Sequence, residues 1–260
     1  MAETTIAVVR EGAACVITLN RPDKRNAVSR AMMGEIIEAA RAAERDKDVV
    51  AVILTGGAAG FSSGADLNEA RAVATTDQAL AYFGGWHRLT TALEGLRKPV
   101  IAAIEGFCMT GGLELALACD VRVAGDRASF AITSARIGTV AGAGGTQRLP
   151  RLIGAAKALE LLFAAEPIDA GEAARLGLVN RVVPAGQALA EAQRLVALYA
   201  TRGPLSLAFA KQAVYRGLER DLEQGLALES LLVAAIYQTA DKEEGIAAFL
   251  EKRTPRFRGA

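Results

Sequence analysis

Hydrophobic positions along the chain recur with two different periods, and the switch between them marks out the elements. Residues 6–10 and 16–20 alternate around Glu11-Gly12 and predict a hairpin. Ser29 precedes Met32, Ile36, Ala39 and Ala43, a helical spacing behind a capping residue. Residues 49–55, 100–104 and 121–124 are short apolar runs of the kind that form buried strands. Thr75 and Gln78 make a capping box for a helix running to about residue 96. Residues 113–119 and 155–165 read as helices. Between residues 130 and 154 the chain is glycine-rich and is predicted as a loop. From Pro167 onward only residues 179–183 read as a strand. Helices are predicted at residues 187–199, 204–218, 222–238 and 243–252. Alternating strands and helices followed by helices alone imply an α/β fold, a parallel-sheet core with a helical C-terminal extension.

Composition narrows the class. The chain has 260 residues, is 52% hydrophobic and carries 30 basic and 29 acidic residues, a net charge of +1. A soluble globular protein is expected. No basic tract points to nucleic acid, and charged residues interrupt every apolar run before it could span a bilayer. The N-terminus enters a strand pattern at once, without a leader pattern. Cys15, Cys108 and Cys119 lie among apolar residues with no paired spacing, which fits reduced core thiols in a cytoplasmic protein. His87 is the only histidine, so a multi-histidine metal site is excluded.

Two stretches carry candidate chemistry. In GFCMTGGLELALACD, residues 106–120, Glu114 is a lone acid among small and apolar residues. Gly111-Gly112 lies between a strand and a helix start, where unpaired N–H groups point away from the turn. Glu114 is either an acid at a helix N-terminus or a functional carboxylate, and its apolar surroundings favour function. The second stretch, Gly60-Phe61-Ser62-Ser63-Gly64, matches the serine-nucleophile pattern G-x-S-x-G. It is read as a chance match, because five residues separate it from the preceding strand and only His87 is available as a base.

Five motifs in order resemble the enoyl-CoA hydratase/isomerase (crotonase) family: LNRPDKRNA, FSSGADL, IAAIEGFCMTGGLELALACD, GTVAGAGGTQRLPRLIG and AARLGLVNRVV, with EGIAAFLEKRTPRF at the C-terminus. The resemblance implies a crotonase-like spiral of strand-strand-helix turns. It places the acyl-CoA site in a core over residues 1–200, and oligomerisation as trimer or hexamer in a helical region over residues 201–260. The implied substrate is an acyl-CoA thioester, with coenzyme A carried by the substrate and no other cofactor or metal. By motif match, the N–H groups of Ala65 and Gly111 form an oxyanion hole and Glu114 is the acid/base. By the same match Ser63, Asp66, Leu67 and Asn68 are coenzyme A-binding residues, with the segment of residues 65–68 beside the coenzyme A arm, and Arg25 and Ala27 match positions near its nucleotide end. Phe249 and Lys252 match C-terminal positions that hold coenzyme A, often from a neighbouring subunit.

The sequence departs from the family at one position. Hydratases of this family carry a second glutamate twenty residues after the first, in a Pro-Glu pair. Here that pair is Thr133-Ser134. Serine hydrogen-bonds water but is no acid or base near neutral pH. Arg136 stands where an apolar residue is usual. Three readings follow: a hydratase working with Glu114 while Ser134 orients the water, a double-bond isomerase using Glu114 alone, or a non-catalytic acyl-CoA-binding protein. The acyl pocket is expected from residues 70–96, with Tyr82, Trp86 and His87 as candidate lining or core residues.

Overall fold

The protein is described by a computed structural model over residues 4–260. Strands β1 (Ile6–Glu11) and β2 (Ala14–Leu19) pair antiparallel about Gly12, with Val9 opposite Val16. The polar stretch after β2 leads to α1 (Arg30–Arg45), whose cap Ser29 accepts the Met32 N–H. Next come β3 (Ala51–Thr55), α2 (Leu67–Arg71), α3 (Thr76–Glu94), β4 (Val100–Ile104), β5 (Phe107–Met109), α4 (Gly111–Leu117), β6 (Val121–Gly125) and β7 (Ser129–Ala131). They are followed by α5 (Gly145–Ile153), α6 (Ala155–Ala164), β8 (Ile168–Asp169), α7 (Ala170–Arg175), β9 (Arg181–Val183), α8 (Ala188–Tyr199), α9 (Pro204–Leu218), α10 (Leu222–Ile236) and α11 (Ala240–Leu250).

The main sheet has the order β1-β2-β3-β4-β6-β9 and is parallel from β2 onward. Its central strands β3 and β4 are buried throughout, which is why they appear in sequence as unbroken apolar runs. Side chains alternate between the two faces. Val52, Leu54, Ala102 and Ile104 pack with Met32, Ile36, Leu89 and Leu115 of α1, α3 and α4. Ile53, Ile101, Ala103 and Val123 pack on the other face against Ala192, Leu195 and Val196 of α8. A second sheet, β5-β7-β8, was not predicted. Its strands are two or three residues long, too short to show a period.

Other departures from the predicted elements are local. Helix α4 begins at Gly111, two residues before the predicted start. Helices α2 and α5 lie in segments predicted as loops. Helix α5 escaped because its capping glycine and internal Pro150 are breaker signals, although Leu149 is buried within it. At the C-terminal end, Lys211 pairs with Asp120 at 2.8 Å and the Tyr215 hydroxyl donates to the same carboxylate at 2.9 Å, tying α9 to the core. Leu218, Leu222, Leu231, Phe249 and Leu250 of α9–α11 remain exposed. Among the described residues, no helix is long and apolar enough to cross a membrane.

Candidate active site

The site begins at a strained turn. Thr110 joins β5 to α4 with φ 48° and ψ −115°, a region that branched residues avoid and that costs about 1–3 kcal/mol. Three bonds hold it there. Its N–H donates to Ala131 O at 2.6 Å, its hydroxyl lies 2.8 Å from that of Thr133, and the Thr133 N–H donates to the Thr110 hydroxyl at 3.2 Å. The turn leaves the Gly111 N–H as the first amide of α4. Gly64, at φ 105°, brings the Ala65 N–H to the same place. A β carbon on Gly64 would sit 3.0 Å from Gly111 N, and one on Gly111 would sit 3.2 Å from Ala65 N. Among the described residues neither amide donates a hydrogen bond to the protein. Two adjacent, unpaired N–H donors are the geometry that a carbonyl oxygen gaining negative charge requires.

The loop that carries the Ala65 amide is fixed by Asn26 and Arg21, which the sequence did not single out, together with Ser62 and Asp66. Asn26, buried, donates to Gly56 O at 2.9 Å and Gly60 O at 3.1 Å. Ser62 is fully buried; its hydroxyl donates to Asn26 O and accepts the Gly64 N–H. With His87 on α3 hydrogen-bonded elsewhere, Ser62 is a structural residue of this loop and the G-x-S-x-G match is coincidental. Asp66 caps α2 through the Asn68 N–H and pairs with Arg21 at 2.9 Å. Burial pushes its carboxyl up, but the Arg21 bond and the amides of α2 outweigh this and hold it below the ordinary value. A depressed folded pKa stabilises the fold above the unfolded pKa and loses that contribution as pH falls through the lowered value. Asp66→Asn is therefore expected to cost about 1–3 kcal/mol at pH 7. The gap should shrink below about pH 4, as denaturant unfolding at several pH values would show.

Glu114 is 2% exposed. It does not cap α4. Its Oε1 accepts the Ala143 N–H at 2.7 Å and the Gly145 N–H at 2.8 Å, both from the glycine-rich stretch. Oε2 bonds to no described residue, and Glu114 lines the large cavity beside Gly111. Burial raises the carboxyl pKa, while the two amides, Arg148 and His87 restrain the rise. Ser134 opens a 3-10 turn, Ser134–Ile137, in the wall beside Thr133. It is buried, and its hydroxyl makes no hydrogen bond with the described residues. Arg136 points elsewhere and pairs with Glu166 at the surface at 2.7 Å.

The cavity has a volume of about 800 Å³. Arg25, Ala27, Ser63, Ala65, Asp66, Leu67, Asn68, Gly111, Glu114 and Ser134 all line it, so ten of the twelve candidate residues converge. Phe249 and Lys252 do not. Both are exposed near the end of α11, Phe249 at 83%. Of the α3 residues, Tyr82, Phe83 and Trp86 line the cavity and His87 does not. Arg25 stacks on Phe107, 4.5 Å from the ring centre, at one end of the cavity.

Comparison with known proteins gives the family. The profile of the enoyl-CoA hydratase/isomerase family matches residues 10–260. A probable enoyl-CoA hydratase of Mycobacterium bovis is 41% identical over 258 residues, covering 99% of each chain. The 2,3-dehydroadipyl-CoA hydratase of Escherichia coli is 40% identical, covering 98% of each. The crystal structure of an enoyl-CoA hydratase from Bacillus anthracis superimposes with a TM-score of 0.94 at 38% identity, over 98% of this chain and 100% of that one. The chain belongs to the enoyl-CoA hydratase/isomerase (crotonase) family. It has the crotonase fold, and its relatives make it an enzyme of the hydratase class.

Proposed function

We propose that the protein hydrates 2-enoyl-CoA thioesters with Glu114 as its only carboxylate acid/base. The observation that carries this reading is the unequal use of the Glu114 oxygens. Oε1 is saturated by two amides, Oε2 bonds to no described residue, and Glu114 lines the cavity that Ala65 and Gly111 also line. The thioester carbonyl binds those two N–H groups. A water held between Oε2 and the Ser134 hydroxyl loses its proton to Glu114 as its oxygen attacks the β carbon. Negative charge moves onto the thioester oxygen, where each N–H contributes about 3 kcal/mol to the transition state. Glu114, now protonated, returns the proton to the α carbon and is restored. No resident cofactor takes part, and coenzyme A arrives with the substrate. Arg25 and the segment of residues 63–68 line its path. The exposed apolar residues of α9–α11 support self-association of the C-terminal helices as trimer or hexamer, which would bring Phe249 and Lys252 to a neighbouring site.

A pure acyl-CoA binder has no use for a buried acid in its cavity wall with one oxygen left unbonded. An isomerase also needs one carboxylate, so the test uses both substrates. A short 2-enoyl-CoA should lose its conjugated absorbance and yield the 3-hydroxyacyl-CoA. Failure to do so, with conversion of a 3-enoyl-CoA into the conjugated product, would make the protein an isomerase. Ser134→Ala should lower kcat/KM by about tenfold or less, the loss of one hydrogen bond to water. A loss as deep as that of a Glu114 variant would mean that Ser134 carries more of the proton transfer than proposed.

A further inference from the structure

The single histidine is 55 positions away in sequence from the glycine-rich stretch and yet meets it. His87 Nε2 lies 2.9 Å from Gly142 O. A carbonyl oxygen only accepts, so Nε2 carries the hydrogen and His87 donates. The peptide whose C=O receives that bond is the one whose N–H, on Ala143, donates to Glu114 Oε1 at 2.7 Å. One planar amide thus has His87 on its oxygen and the carboxylate on its hydrogen, and bonds at the two ends of an amide polarise it in the same sense.

The surroundings hold this amide in place. A β carbon on Gly142 would run into the Phe83 ring, so the loop is pressed onto α3. Arg148 donates to Ala143 O at 3.3 Å and is itself gripped by both oxygens of Glu94 at 2.6 Å. Arg148, with its partner Glu94, and His87 are the charged and titratable groups around Glu114. A second, outer pocket lined by His87, Glu94 and Arg148 also carries Cys119, Asp120, Arg122, Arg151, Tyr215 and Glu219. Nothing else among the described residues bonds to Gly142 O, so His87 alone fixes that end of the amide.

We propose that His87 is a positioning residue for Glu114, acting through the single peptide that joins Gly142 to Ala143. Its role is to orient and polarise the Ala143 N–H so that Oε1 stays occupied and Oε2 stays free for the substrate. The inference rests on the reading of Glu114 as the acid/base, and it is testable without turnover. His87 is exposed on α3 and its replacement should not disturb folding.

In His87→Phe the amide loses its outer donor. Expected results are a kcat about five- to tenfold lower, KM for the enoyl-CoA within about twofold, and an acid limb of the kcat/KM profile moved up by about half a pH unit or more. His87→Gln places an amide N–H near the Nε2 position and should restore most of the rate and the wild-type limb. The direct readout is the Glu114 carboxyl band in infrared difference spectra, assigned by its absence in Glu114→Gln. Its titration midpoint should rise in His87→Phe by the same amount as the kinetic limb. An unmoved midpoint, or His87→Gln as impaired as His87→Phe, overturns the proposal. Should the wild type hydrate nothing, the infrared titration still decides the role of His87, so the two readings fail separately.

Discussion

Glu114→Gln is expected to lower kcat/KM for a short 2-enoyl-CoA by about 10² to 10⁴, the usual worth of a positioned acid/base, while acyl-CoA still binds. Glutamine is nearly isosteric, and its carbonyl oxygen can accept the Ala143 and Gly145 N–H bonds that Oε1 accepts now. The amide nitrogen then takes the place of Oε2 and can take no proton from water. Stability should move the other way. Burial raises the Glu114 pKa, so the folded state disfavours the carboxylate. A raised folded pKa gives stability that is full below the unfolded pKa and lost as pH rises through the folded value. At neutral pH the wild type therefore carries a charge it would fold better without, and Glu114→Gln should melt no lower than wild type. The acid limb of the wild-type profile should lie above the ordinary glutamate value of about 4.3. A variant that keeps a tenth of wild-type turnover, or that loses activity only because it no longer binds acyl-CoA, would remove Glu114 from the chemistry.

The same residue shows how much of the site was legible in sequence and what was hidden. Glu114 was visible because an acid inside an apolar run contradicts its neighbourhood, and Gly111 because a glycine pair between a strand and a helix marks a close approach. Ordered motifs then tied Ala65 and the segment of residues 63–68 to the same chemistry. The groups that hold these atoms were not visible. Arg21 reaches Asp66 across 45 positions, Asn26 reaches Gly60 across 34, and His87 reaches Gly142 across 55. Such bonds follow from the fold and leave no local period. The amides that Glu114 accepts were hidden as well: they come from residues 143 and 145, across the fold from its own helix. The glycines of that stretch read as a loop in sequence, and they are what lets the backbone approach the carboxylate. A β carbon on Gly145 would stand 3.0 Å from Glu114 Oε1.

Gly111→Ala should be nearly as damaging as loss of the carboxylate, and for a different reason. A β carbon on Gly111 would lie 2.8 Å from Trp86 Cη2, 3.1 Å from Trp86 Cζ2 and 3.2 Å from Ala65 N. Trp86 is fully buried and packed, so it cannot swing away cheaply. The methyl group therefore pushes the Gly111 and Ala65 amides apart or blocks the space between them, where the thioester oxygen must sit. Losing one such donor costs about 10² to 10³ in kcat, and the expected fall for Gly111→Ala is of that size. The acid limb of the pH profile should stay where it is, because Glu114 keeps its amides and its partners. That separates this variant from both Glu114→Gln and His87→Phe. Trp86→Phe shortens the ring that meets the new methyl group, so the double variant should regain part of the rate lost in Gly111→Ala. Full activity in Gly111→Ala would mean that the thioester oxygen is stabilised elsewhere. A loss that Trp86→Phe leaves untouched would place the obstruction at Ala65, the contact that remains at 3.2 Å.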